Sequence, residues 1–269
     1  MSELKEISGS IQDFLRLRTL PVGVKFIERE EDIDKIEGVR KPAHRATLCQ
    51  LMGQSRTLGW TLSFTTADSC ALDCPVHLGW VPEPEMFLNG MVYAGVWQKT
   101  QEDASKFGHE YPKLPLGKYK AVVLSPLRTG RLDPPDVIMI FGTPAQMCLI
   151  LCALQWEDYE RFQFFFRGEG SCSDSLIECF LTGKPRLTVP CFGERIMGLV
   201  QEDEMEIGIP GTMAEKLLNG LEGLRGARTI NYPIPYYGLQ LDILPMLGRA
   251  YPGLEQILEK VNKGEPIEL

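Results

Sequence analysis

The stretch Pro134-Pro135-Asp136-Val137-Ile138-Met139-Ile140-Phe141-Gly142-Thr143-Pro144-Ala145-Gln146 decides the fold class. The run Val137 to Phe141 is wholly apolar and lies between a proline pair and Gly142, which marks a short strand. Thr143-Pro144 interrupts it, and the apolar stretch Ala145 to Leu154 reads as a helix. A strand feeding directly into a helix places the chain among α/β (mixed α+β) proteins. The same alternation extends outward in both directions. Towards the N-terminus, Leu4, Ile7, Ile11, Phe14 and Leu15 repeat with helical spacing, Leu20-Pro21 stops them, and Val22 to Phe26 forms a strand. A charged turn at Glu30 to Glu37 and a helix from Leu48 to Leu58, closed by Gly59, come next. Asp68 to Trp80 reads as irregular loop, Gln98 to Phe107 as helix and Lys120 to Leu124 as strand. Towards the C-terminus, Phe162 to Phe166 is strand-like and Asp174 to Leu181 helical. Strands Arg186 to Val189 and Ile196 to Val200 flank a turn at Pro190 to Gly193, and Ile207 to Ile209 precedes helices at Thr212 to Leu224 and Leu254 to Val261.

A weak internal echo runs through this pattern. Each half carries a short apolar strand, a helix with a glutamine near its start (Gln50, Gln146) and then a Ser-Cys pair (Ser69-Cys70, Ser171-Cys172). The echo divides the chain into residues 1–130 and 131–269, two similar α/β halves of one compact unit, with a ligand cleft expected between them.

Composition narrows the function classes. A net charge of −8 argues against nucleic acid, which needs a basic surface to neutralise phosphate. The first residues show no signal peptide and no apolar run approaches a membrane span, so a cytoplasmic protein without a membrane partner is expected. In that compartment the eight cysteines stay reduced, which leaves them as buried small residues, metal ligands or reactive thiols.

The sharpest local feature is Cys70-Ala71-Leu72-Asp73-Cys74-Pro75-Val76-His77. Thiolates at this spacing suit zinc, and a proline after the second cysteine also occurs in iron–sulfur runs. Cys49 or Cys191 would have to complete the set, so the candidate ligands are Cys49, Cys70, Cys74 and Cys191. The competing reading is a packed turn of reduced thiols. Cys191 lies in Pro190-Cys191-Phe192-Gly193-Glu194-Arg195, where Arg195 could favour a nucleophilic thiolate. Cys148 and Cys152, four apart within an apolar helix, read as core. The acidic run Glu202 to Glu206 reads as an exposed edge or turn, and Arg40 to Arg45 is the only basic cluster.

Leu20 to Phe26, Pro135 to Ile138 followed by Gly142 to Gln146, and Pro190 to Arg195 with the acidic stretch leading into Pro210 together resemble an uncharacterised prokaryotic family, domain of unknown function 169. The resemblance covers about residues 14 to 215. It implies a shared fold and no activity. It also implies that Cys49, Cys70, Cys172 and Cys191 occupy family-typical positions, whereas Cys74 and His77 do not. Three readings stay open. One is a cysteine-ligated metal or iron–sulfur protein with a redox or accessory role. Another is a binding protein for a small anionic ligand held by Arg45, Arg56 and Arg195. The third is a thiol-dependent enzyme using Cys191, which lacks an obvious histidine base. The oligomeric state is not legible.

Overall fold

The computed structural model describes residues 3–227, 232–233 and 251–267. Its centre is one six-stranded sheet: β1 (Val22–Ile27), β2 (Leu62–Thr65), β3 (Ala121–Pro126), β4 (Val137–Gly142), β5 (Arg186–Thr188) and β6 (Met205–Pro210). The order is β2-β3-β1-β4-β6-β5, and every neighbouring pair is antiparallel. The helices are α1 (Glu3–Leu15), α2 (Leu48–Leu58), α3 (Asp73–His77), α4 (Glu85–Leu88), α5 (Gln101–His109), α6 (Pro144–Leu154), α7 (Glu178–Thr182), α8 (Phe192–Met197), α9 (Ala214–Ala227) and α10 (Leu254–Lys263). A π-helical segment, Ser173–Ile177, runs directly into α7, so 171–182 is one continuous helix.

Both faces of the sheet are apolar, and each is covered. On the front, Val22, Val24, Phe26, Phe64, Val122, Leu124, Val137, Met139 and Phe141 meet Leu48, Leu51 and Met52 of α2 and Leu176, Ile177 and Cys179 of the 171–182 helix. On the back, Ile138, Ile140, Ile207 and Ile209 pack beneath α1, α6 and α9. This burial on both sides explains why β4 has no polar residue to alternate.

The sheet order reads the same from either edge when β1, β2 and β3 exchange with β4, β5 and β6. Register follows the same exchange: Val22 faces Pro126 as Val137 faces Pro210, and Leu62 faces Leu124 as Arg186 faces Gly208. This order supports a proposal of two related halves, but with a different alignment from the glutamine echo. Gln50 and Gln146 both close capping boxes at the starts of their helices. Their helices nevertheless lie on opposite faces of the sheet. The helix that shares the front face with α2 is the 171–182 helix. Each precedes an edge strand of the sheet, and each ends at a left-handed glycine, Gly59 or Gly183.

Several local expectations are corrected. Ile196 to Val200 is not a strand: Cys191 is extended, and Phe192–Met197 coils into α8, which tucks Glu194 inward. Phe162 to Phe166 pairs with no strand, and α3 occupies the middle of the expected loop at 68–80. Cys148 is exposed and Cys152 half-buried, because α6 buries Gln146, Met147, Leu149, Ile150, Ala153 and Leu154 instead. The acidic stretch is solvated only at Glu202 and Asp203, which form an exposed turn, whereas Glu204 and Glu206 are 2% and 0% exposed. Glu206 lies opposite Phe141 and Thr188, on the front face of the sheet.

Gly208 determines how closely the 171–182 helix sits on the sheet. A Cβ there would meet the Ser175 carbonyl oxygen at 2.2 Å and Cys179 Cβ at 3.2 Å. Gly208→Ala is expected to cost about 1–3 kcal/mol, the usual range for overpacking a close contact. A urea unfolding curve indistinguishable from wild type would show that the helix does not rest on this strand.

Candidate functional site

The cavity that gathers the thiols lies where the helices on the front face begin. Cys49 occupies the first turn of α2, whose Thr47 cap accepts a hydrogen bond from the Gln50 N–H. Cys172 occupies the first turn of the 171–182 helix. Gly53 allows α8 to approach α2, since a Cβ there would lie 2.7 Å from the Gly198 carbonyl oxygen. The approach brings Glu194 of α8 to the two thiols. One ligand atom each from Cys49, Cys172 and Glu194 falls within 4.8 Å of the others, a group able to hold a metal ion. The cavity beside them is ≈ 70 Å³ and is also lined by Cys74, His77, Tyr111, Glu169 and Cys191.

Hydrogen bonds fix the acidic side of this group. The Ser171 hydroxyl donates to Glu194 Oε2 at 2.5 Å and accepts from the Cys191 N–H at 2.8 Å. Ser175 Oγ donates to the Ser171 carbonyl at 2.9 Å. Glu206 lies next to these groups and against the Glu194 carboxyl, with no N–H donor to either of its buried oxygens. A buried, unpartnered carboxylate is costly when ionised. Accordingly, burial followed by the neighbouring Glu194 charge raises Glu206 well above the usual carboxylate range, and burial raises Glu194 as well.

The thiols are shifted in the same direction. The Cys172 contact draws Cys49 down, but burial and the Glu194 charge outweigh it and leave Cys49 at about 11. Cys49 and burial together raise Cys172 well above a free thiol. Burial takes Cys74 and Cys191 to about 12. Without a cation these groups stay protonated at neutral pH, so none is a ready nucleophile. Burial also pushes His77 down to about 3, so it is neutral. His77 stacks on Tyr111 with ring centroids 4.0 Å apart, and Arg167 lies 4.1 Å from the centroid of the Tyr111 ring.

Of the cysteines expected to converge, Cys49, Cys74 and Cys191 line the cavity, whereas Cys70 is exposed and does not. The three arginines lie outside the cavity lining. Arg45 is exposed beside Arg40, His44 and Trp60 in a shallow basic groove. Arg195 donates to the Gln201 carbonyl at 2.5 Å. Arg56 is buried and donates to Glu204, to the Leu199 carbonyl at 2.7 Å and to Thr19 Oγ1 at 3.2 Å. Sequence reasoning did not place Cys172 or Glu194 among the ligands. The family-typical position of Cys172 was a usable signal for the first, and the place of Glu194 in the family-like motif Pro190 to Arg195 was one for the second.

Comparison with known proteins agrees with the motif resemblance. The family model DUF169, described as uncharacterised ArCR, matches residues 10–220. The chain is 22% identical over 235 residues to the uncharacterized protein MJ0308 of Methanocaldococcus jannaschii, covering 86% of this chain and 99% of that protein. No solved structure matches. The chain belongs to the DUF169 family, and every residue of the Cys49, Cys172 and Glu194 group falls within the matched segment. Among the described residues, no helix is long and apolar enough to cross a membrane.

Proposed function

We propose that the chain is a metal-binding protein in which Cys49, Cys172 and Glu194 hold one divalent cation of the zinc class. The observation that carries this reading is the convergence of two thiols and a carboxylate within 4.8 Å, next to a second buried carboxyl group whose nearest partner is that same carboxylate. Burial raises these acids even though the Arg56 and Arg195 charges favour ionised Glu194, so that without a cation protons offset part of their charge. A divalent ion would replace those protons and offset the charge of the Glu194–Glu206 pair.

The donor set favours a single ion over a cluster. Iron–sulfur clusters are held almost wholly by cysteine thiolates, whereas zinc accepts mixed thiolate and carboxylate ligands. Cys49 and Cys172 also sit at helix N-termini, whose partial positive charge favours the thiolate form that coordination requires. X-ray absorption at the zinc edge of the loaded chain should show two sulfur neighbours at about 2.3 Å, together with oxygen or nitrogen at about 2.0–2.2 Å. A shell of four sulfurs, or one without sulfur, would overturn this assignment.

A further inference from the structure

We infer that this metal site keeps one coordination position open to the cavity, and that the position takes a small uncharged nitrogen donor whose N–H is accepted by Glu169. The inference rests on the metal reading above and names the ligand class of the same site.

Three protein ligands are one fewer than a closed zinc site uses, and a missing fourth ligand is the mark of sites that exchange water or substrate. Cys74 and Cys191 share the cavity but lie outside the 4.8 Å group. The Cys191 N–H is committed to Ser171 Oγ, and its thiol sits beside Glu169 next to Gly193. Two of the residues lining this space carry a buried polar atom without a partner, Glu169 Oε2 and His77 Nε2. His77 is 5% exposed and is held flat against Tyr111, so it cannot turn towards solvent for a partner. Unmatched buried polar atoms in a cavity are a place where a ligand or ordered water completes the bonding.

Charge selects the ligand class. Asp73 and Glu169 line the cavity, Glu194 lies close enough to act on Glu169 and Glu206, and the nearby Arg167 is paired with Asp174. An incoming anion meets this acidic wall, whereas a neutral nitrogen base does not. Nitrogen donors also suit a zinc-class ion with thiolate ligands. A donor that also bears an N–H gives Glu169 Oε2 the partner it lacks.

The test uses the full chain loaded with cobalt(II), which reports its ligands in the visible spectrum. A thiolate-to-cobalt band establishes the metal site; its absence overturns the metal reading, and this inference with it. With that band present, imidazole should shift the ligand-field bands saturably, and azide should bind at least about tenfold more weakly. Glu169→Gln should weaken imidazole about tenfold and leave the thiolate band unchanged. Cys70→Ser, at an exposed thiol outside the cavity, should leave both the thiolate band and the imidazole response intact. A cobalt spectrum that neither probe moves, azide binding as tightly as imidazole, or loss of thiolate intensity in Cys70→Ser would each overturn the open position as described.

Discussion

Arg56→Ala should destabilise the chain by about 3–5 kcal/mol, the cost of leaving one partner of a buried ion pair uncompensated. Arg56 and Glu204 are each 1% exposed in their side chains and lie 3.3 Å apart. Glu204 also accepts from the Gln201 N–H at 2.9 Å, so the pair ties the end of α2 to the 198–204 loop that leads from α8 into β6. The guanidinium stands 4.4 Å from the centroid of the Phe141 ring and donates to the Leu199 carbonyl, leaving little room for water to replace it. The double variant Arg56→Met with Glu204→Leu removes both charges and should recover most of the loss. Urea unfolding of the three proteins checks this directly. An Arg56→Ala cost below about 1 kcal/mol would mean that the pair is solvated and that Arg56 is free to serve a ligand.

Cys172→Ser and Cys49→Ser should each weaken zinc binding by about 100-fold or more, because each removes one of two thiolates from a three-ligand set. Cys70→Ser should leave the affinity within about twofold, since that thiol is exposed and outside the cavity. Competition with a chromophoric chelator measures all three variants on one scale. The comparison matters because Cys70 and Cys74 form the most conspicuous ligand spacing in the sequence. If Cys70→Ser loses the metal while Cys172→Ser keeps it, coordination follows the local motif instead of the buried group.

The contrast between these variants also shows where sequence reading succeeds. Val137 to Phe141 is legible as a strand because apolar residues buried on both faces leave an unbroken local signature, and Val22 to Phe26 because Val22, Val24 and Phe26 alternate towards the front face. α6 was equally legible from its proline-led start and apolar run. The cavity was legible in part: Cys49, Cys74 and Cys191 do line one space. Cys172 and Glu194 were not assigned because their partnership with Cys49 depends on how the 171–182 helix and α8 meet α2, which no local pattern records. Glu204 and Glu206 were misread because an acidic run usually means solvent, and here burial follows from β6 pairing between β4 and β5. The glutamine echo joins α2 to α6, helices that cover opposite faces of the sheet. A capping box marks any well-formed helix start, so its recurrence says nothing about which face of the sheet the helix covers.

Proton release on zinc binding tests the central claim most directly. Cys49 at about 11 and Cys172 well above a free thiol are both protonated at pH 7, so coordination must displace a proton from each. Titrating zinc into the metal-free chain in weak buffers of different ionisation enthalpy should therefore release about two protons per ion bound. Because metal and protons compete, affinity should fall as pH falls, by about 100-fold per pH unit between pH 8 and 6. One-to-one binding with no proton release and an affinity independent of pH would contradict the account, since the buried thiols would then not be the ligands.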